Sequence, residues 1–200
     1  MRARLNLLAA AVMLTPCALW TTAFLSGCAS GRGSGPYAPQ SESARDSLKA
    51  QRLTQEAAAI LDKDPVKAER LLRDALTADL YHGPSHNNLG VIYLKRGDLY
   101  SAASEFQWAA KLMPGLPDPR MNLALTLEKA GRTDQALAAY ASALEVYPDH
   151  LPTLEGLARL QIKSGKTDER TRHALDEIAL RGESERWREW ARAELIRLRP

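Results

Sequence analysis

Cysteine is nearly absent from this 200-residue chain. Cys17 and Cys28 are its two examples, and everything after Cys28 is free of thiols. No disulfide framework can therefore hold the fold, which must rest on apolar packing. A charge excess of either sign is also missing. Against 27 Lys and Arg stand 24 Asp and Glu, for a net charge of +3, and two of the basic residues, Arg2 and Arg4, precede an apolar stretch at the start of the chain. Setting those two aside leaves a chain close to neutral, which gives no electrostatic case for nucleic acid, since that would need a clustered basic face. Nucleophile motifs and glycine-rich phosphate loops are absent as well. His82 and His86 are four residues apart, but Gly83-Pro84 lies between them, and His150 and His173 have no partners at ligand spacing. Neither an enzyme, a cofactor nor a metal centre is indicated.

What remains is 45% hydrophobic and 26% charged, an ordinary soluble composition with one core and a tail. The tail is at the N-terminus. Arg2 and Arg4 are followed by an apolar run from Leu5 to Leu25, the n-region and h-region of an export signal. The run is long enough to span a bilayer, so an uncleaved anchor is the competing reading. Pro16, Thr15, Thr21 and Thr22 weaken it, and small residues close it where a peptidase would cut.

The closing residues, Leu25-Ser26-Gly27-Cys28, resemble the lipobox of bacterial lipoproteins. That resemblance implies that Cys28 is acylated with diacylglycerol and becomes the first residue of the mature chain. Cys17 follows Pro16 rather than a small residue and reads as part of the h-region. Each buried methylene contributes about 0.8 kcal/mol, so two or three acyl chains hold a protein to a membrane effectively for good. Ala29 at the next position resembles the default for transfer to the outer membrane, facing the periplasm. The stretch after it, ASGRGSGPYAPQS, is poor in apolar residues and reads as a flexible tether. The expected organisation is a signal peptide over 1–27, an acylated tether over 28–42 and a folded body over 43–200.

The body repeats itself. Offset by 34 residues, Leu89 pairs with Leu123, Gly90 with Ala124, Gly97 with Gly131, Ala102 with Ala136, Phe106 with Tyr140, Ala109 with Ala143 and Pro114 with Pro148. Small residues stay small, large ones stay large, and the turn residues coincide. The units Gly83 to Leu116 and Pro117 to His150 resemble tetratricopeptide repeats, which implies pairs of antiparallel helices stacked into an all-α solenoid. Flanking units are weaker. Leu157, Ala158 and Gly165 keep register, but Arg170 and Ala174 stand where a small and a large residue are expected, and Gln55 and Glu56 replace the Leu-Gly pair. Asp64 and Pro65 read as a helix N-cap and first residue. About four helix pairs and a C-terminal capping helix are predicted, the latter carrying Trp187, Trp190, Ala191, Leu195 and Leu198 at helical spacing. The two tryptophans are expected either to pack on the last repeat or to form an exposed anchor for a partner.

In tetratricopeptide proteins the first helices line a concave face, and an asparagine there commonly bonds the backbone of an extended peptide. Asn88 and Asn122 share that repeat position and resemble a short asparagine ladder, which ends at Gly156. Lys95, Lys129 and Lys163 form a second row one repeat apart, with Arg159 nearby. These cations would favour an acidic segment or a C-terminal carboxylate. Each lysine also lies just before a loop glycine, where a helix C-terminus attracts positive charge for purely structural reasons. The expectation is a non-enzymatic scaffold for protein or peptide partners, tethered in a bacterial envelope. Roles in assembling a pilus or secretion system, in regulating an envelope enzyme such as a peptidoglycan hydrolase, or as a structural subunit remain open.

Overall fold

The computed structural model describes residues 45–198. Cys28 and the predicted signal and tether lie outside the described residues. Nine helices occur within them: α1 (Ser47–Ile60), α2 (Pro65–Ala78), α3 (Gly83–Arg96), α4 (Leu99–Leu112), α5 (Asp118–Lys129), α6 (Thr133–Val146), α7 (Leu151–Ser164), α8 (Glu169–Arg181) and α9 (Glu185–Arg197). Among the described residues there is no strand, and no helix is long and apolar enough to cross a membrane.

The boundaries follow from local chemistry that recurs with the repeat. Asp64 and Asp98 cap α2 and α4 by accepting from the amides of Lys67 and Ser101, satisfying donors that a helix start leaves open. Asp168 caps α8 in a reciprocal box with Thr171. His82 and His150 stand at the N-caps of α3 and α7, with Nδ1 at 2.7 Å from the Ser85 hydroxyl and 2.6 Å from that of Thr153. Gly83-Pro84 thus opens a helix between the two histidines, with His82 at the cap and His86 inside the first turn. Gly97, Gly131 and Gly165 end the first helices of three pairs at φ of 85°, 74° and 68°. Any side chain there would be strained, which accounts for their recurrence.

Helices pair as α1–α2, α3–α4, α5–α6 and α7–α8, and α9 packs on α8. Successive first helices also touch, α1 with α3, α3 with α5 and α5 with α7. That closer approach places the odd-numbered helices on the inner side of the stack. Second helices supply the seam. Ala68, Ala102 and Ala136 are fully buried, as are Ala75, Ala109 and Ala143, and between them Leu72, Phe106 and Tyr140 fill the space between the two helices. Burying a side chain of that size contributes about 1.5–3 kcal/mol. Gly90 lies so close to Phe106 that a Cβ on it would meet the ring at 2.8 Å, and Gly156 meets Tyr140 at 2.6 Å in the same way.

The fading signature at the C-terminal end has a specific cause. Arg170 is exposed, and besides Ala174 the buried positions of α8 are Thr171, Leu175 and Ile178. These stand 35 residues after Ala136, Tyr140 and Ala143, so the pattern persists with a slip of one residue. The loop between Ser164 and Glu169 is longer than that between Lys129 and Thr133 and absorbs the slip. At the other end Gln55 and Glu56 face solvent, while Ala57, 33 residues before Gly90, is fully buried. Trp187, Trp190, Leu195 and Leu198 pack against a core of Leu154, Ala158, Leu175, Ile178 and Ala191, so α9 does close the stack.

Candidate functional site

The inner helices carry a short chain of amides. Asn122 on α5 donates from Nδ2 to Asn87 Oδ1 on α3 at 3.1 Å, and Asn87 donates to Asn88 Oδ1 at 3.4 Å. All three are half-buried. An amide offers both donors and an acceptor. The internal bonds use the Asn88 carbonyl and one Asn122 N–H, leaving the Asn88 amide N–H groups at one end and the Asn122 carbonyl at the other. A donor and an acceptor set apart on neighbouring inner helices suit an extended backbone.

Asn87 is the member that the 34-residue period does not reveal, because its bond to Asn122 spans 35 residues.

The cations are arranged differently from one another. Lys95 pairs with Asp62 on the preceding repeat. Arg159 on α7 grips Glu128 on α5 with both terminal nitrogens, at 2.8 and 2.9 Å, and the Tyr140 hydroxyl donates to the same carboxylate at 3.3 Å. Burial first, and then the Glu128 charge, push the Tyr140 phenol far above its usual range, so it remains a donor. Lys129 and Lys163 are exposed and have no carboxylate partner among the described residues. Charge in this row is thus offset at Lys95 and Arg159 and open at Lys129 and Lys163.

Many of the polar bonds join one repeat to the next. Arg45 to Asp79, Asp62 to Lys95, Asn87 to Asn122, Glu128 to Arg159 and Asp134 to Lys166 all bridge positions 31 to 35 residues apart. The stack is stitched by side chains whose first duty is to their neighbour. Bidentate Arg–carboxylate geometry is the strongest of these.

Below the amides, α3 is fixed by a buried pair. His86 is fully buried, with Nδ1 at 2.7 Å from Glu105 Oε2 on α4 and Nε2 at 2.9 Å from the Leu80 carbonyl oxygen. Its ring stacks on Trp108, centroids 5.7 Å apart and 15° from parallel, and the Lys111 ammonium sits 5.3 Å from the Trp108 ring centroid. Asn87 and Asn88 follow His86 directly, so this pair sets the rotation of the helix that presents them.

At the far end of the inner face, Arg159, Ser184, Arg186, Trp187 and Trp190 line an open cleft of about 530 Å³ between α7 and α9. The two indoles meet edge to face, 5.1 Å between centroids at 84°. One turn before Arg159, the Glu155 Oε1 atom is buried with no hydrogen-bond partner. Burial, and secondarily the Glu183 charge, push the Glu155 carboxyl up. Among the described residues no group of three or more His, Cys, Asp or Glu is placed to hold a metal.

With this geometry in place the relatives are informative. Residues 127–169 match the sequence profile of the Tetratricopeptide repeat. Mouse Tetratricopeptide repeat protein 8 is 27% identical over 94 residues, which is 47% of this chain and 18% of that protein. Mouse Superkiller complex protein 3 is 30% identical over 95 residues, 48% of this chain and 6% of that protein. The chain therefore spans less than a fifth of the curated relatives it matches. Among solved structures, a tetratricopeptide repeat protein from Parabacteroides merdae superposes with a TM-score of 0.62 at 24% identity, over 74% of this chain and 59% of that one. YrrB, described as a TPR protein with an unusual peptide-binding site, gives 0.59 at 20% identity, over 74% and 76%. The first TPR of Spaghetti (RPAP3), solved bound to an HSP90 peptide, gives 0.58 at 17%, over 61% and 98%. The fold is an all-α tetratricopeptide-repeat solenoid.

Proposed function

We propose that this protein is a lipid-anchored scaffold that holds an extended segment of a partner protein along the inner face of α3, α5 and α7. The observation that carries the reading is the amide chain of Asn88, Asn87 and Asn122, internally bonded so that a donor and an acceptor stay open at its ends. Lys129 and Lys163 add unpaired positive charge to the same row and favour an acidic partner segment. Structural relatives that hold peptides support the reading.

Crosslinking in intact cells followed by capture tests this. Loss of two hydrogen bonds in the Asn88→Ala/Asn122→Ala variant removes about 2 kcal/mol, a roughly 30-fold weakening of the captured partner. Capture unchanged from wild type would overturn the groove.

The anchor follows from the Leu-Ser-Gly-Cys signature and the signal-like segment before it. In this proposal Cys28 carries the lipid and the repeats work in the periplasm at the outer membrane, in assembly of an envelope machine. Intact-mass analysis of the mature chain is expected to show Cys28 at the N-terminus with an acyl adduct, and Cys28→Ser to release the protein from the membrane fraction. An unmodified mature N-terminus sinks the anchor and leaves the groove standing.

A further inference from the structure

We propose that the cleft between α7 and α9 is a second peptide subsite, which takes an acidic segment carrying one bulky apolar side chain. This deepens the scaffold reading and rests on it.

The argument begins with size. A volume of about 530 Å³ accommodates one large side chain and the backbone on either side of it. Its apolar surface comes from Trp187 and Trp190, which each bury part of the indole in the core of the last repeat and leave the rest facing the cleft. A fixed perpendicular pair of indoles is a rigid apolar wall that loses little entropy when covered.

Charge sets the rest of the ligand. Arg186 is exposed and makes no ion pair among the described residues. Arg159 spends one N–H from each terminal nitrogen on Glu128, which leaves three of its five donors, and that grip holds the guanidinium in place before a ligand arrives. Ser184 opens α9, whose N-terminal end adds positive potential to the same wall. Of the nearby carboxylates, Glu128 and Glu185 are already engaged by arginines, while Glu183 is exposed. Glu185 pairs with Arg188 and Arg192, and burial, with the Glu183 charge second, pushes the Glu155 carboxyl up. Two guanidinium groups beside two indoles therefore select an anionic group next to an apolar one.

Binding of short fluorescently labelled peptides tests the proposal on the folded protein. One peptide has Glu-Leu-Asp at its centre; the controls have Gln-Leu-Asn, Lys-Leu-Lys and Glu-Gly-Asp. Saturable binding is expected for the first, about tenfold or more weaker for each control. Arg186→Glu is expected to weaken the first peptide by a similar factor without moving the melting temperature, since Arg186 is exposed and makes no ion pair among the described residues. Trp190→Phe, which keeps an aromatic ring in the core, is expected to give a smaller loss and an altered tryptophan fluorescence response. Equal binding of the Gln-Leu-Asn peptide, no saturable binding, or indifference to Arg186→Glu would each overturn the subsite. The two readings fail separately. Partner capture that depends on Asn88 and Asn122 but not on Arg186 removes the subsite alone; capture indifferent to the asparagines, with the acidic peptide still held through Arg186, removes the amide groove alone.

Discussion

Glu105→Ala is expected to destabilise the protein by about 3–5 kcal/mol, because it strands His86 in the core without its carboxylate partner. The imidazole is fully buried between α3, α4 and the Leu80 turn, and both ring nitrogens face acceptors. Removing the carboxylate takes away the partner of Nδ1 in a fully buried site. Replacing both groups together, as His86→Leu/Glu105→Met, is expected to cost less than the sum of the single changes, since no orphan remains. Urea denaturation of wild type, His86→Leu, Glu105→Met and the double variant completes the cycle, and Trp108 fluorescence reports on the site because its ring stacks on His86. Additive losses would show that the two residues act independently. The same variant carries a functional consequence: Asn87 and Asn88 lie one and two residues beyond His86, so Glu105→Ala is expected to weaken groove binding in concentrations of urea far below those that unfold the chain.

The parts of this molecule that repeat at a constant interval were legible from the chain alone. The left-handed glycines 97, 131 and 165, the buried alanines 102, 109, 136 and 143 and the aromatic pair Phe106 and Tyr140 are all separated by 34 residues, and each occupies a position where backbone strain or tight packing tolerates few alternatives. Polar partnerships were not legible in the same way. Asn87 to Asn122 spans 35 residues, Asp62 to Lys95 spans 33 and Glu128 to Arg159 spans 31, because a side chain reaches across to the nearest complementary group instead of to its own equivalent. A row of cations at constant spacing therefore reads as a ligand surface until the carboxylates opposite are located. The slip in α8 was hidden for a related reason. A longer loop moved Thr171, Leu175 and Ile178 one residue out of period, and burial, which ignores numbering, restores the pattern. The cleft lined by Arg159, Arg186, Trp187 and Trp190 could not be read from the period at all, since α9 belongs to no repeat. Its tryptophans pack on the last repeat, and part of each lines the cleft.

Asp79→Asn is expected to cost about 3 kcal/mol at neutral pH, and the loss is expected to shrink as the solution is acidified. Asp79 is buried in the loop after α2, where it accepts from Arg45 Nε at 2.9 Å, from the Ser47 hydroxyl at 2.7 Å and from the Tyr81 amide at 3.0 Å. One carboxylate thus fastens the start of α1 to the turn that leads into α3, reinforced by the Arg45 guanidinium 5.1 Å from the Tyr81 ring centroid. Burial alone would raise this carboxyl. The hydrogen bonds from Arg45, Ser47 and the Tyr81 amide, with the Arg45 charge, overcome burial and hold it below the usual carboxylate range. A folded-state value below the unfolded one means that the unfolded chain binds the proton first on acidification. The stabilisation is therefore complete above the unfolded value of about 3.9 and is lost as pH falls through the lower folded value. The gap in unfolding free energy between wild type and Asp79→Asn, followed by urea titration from neutral pH down to pH ~2, is expected to stay wide until about pH 4 and then close. A gap that stays constant across that range would assign the cost of the substitution to lost packing geometry and not to the charge. Arg45 retains contact with solvent, so it can rehydrate when its partner is neutralised, which keeps the expected loss at the lower end for a buried pair.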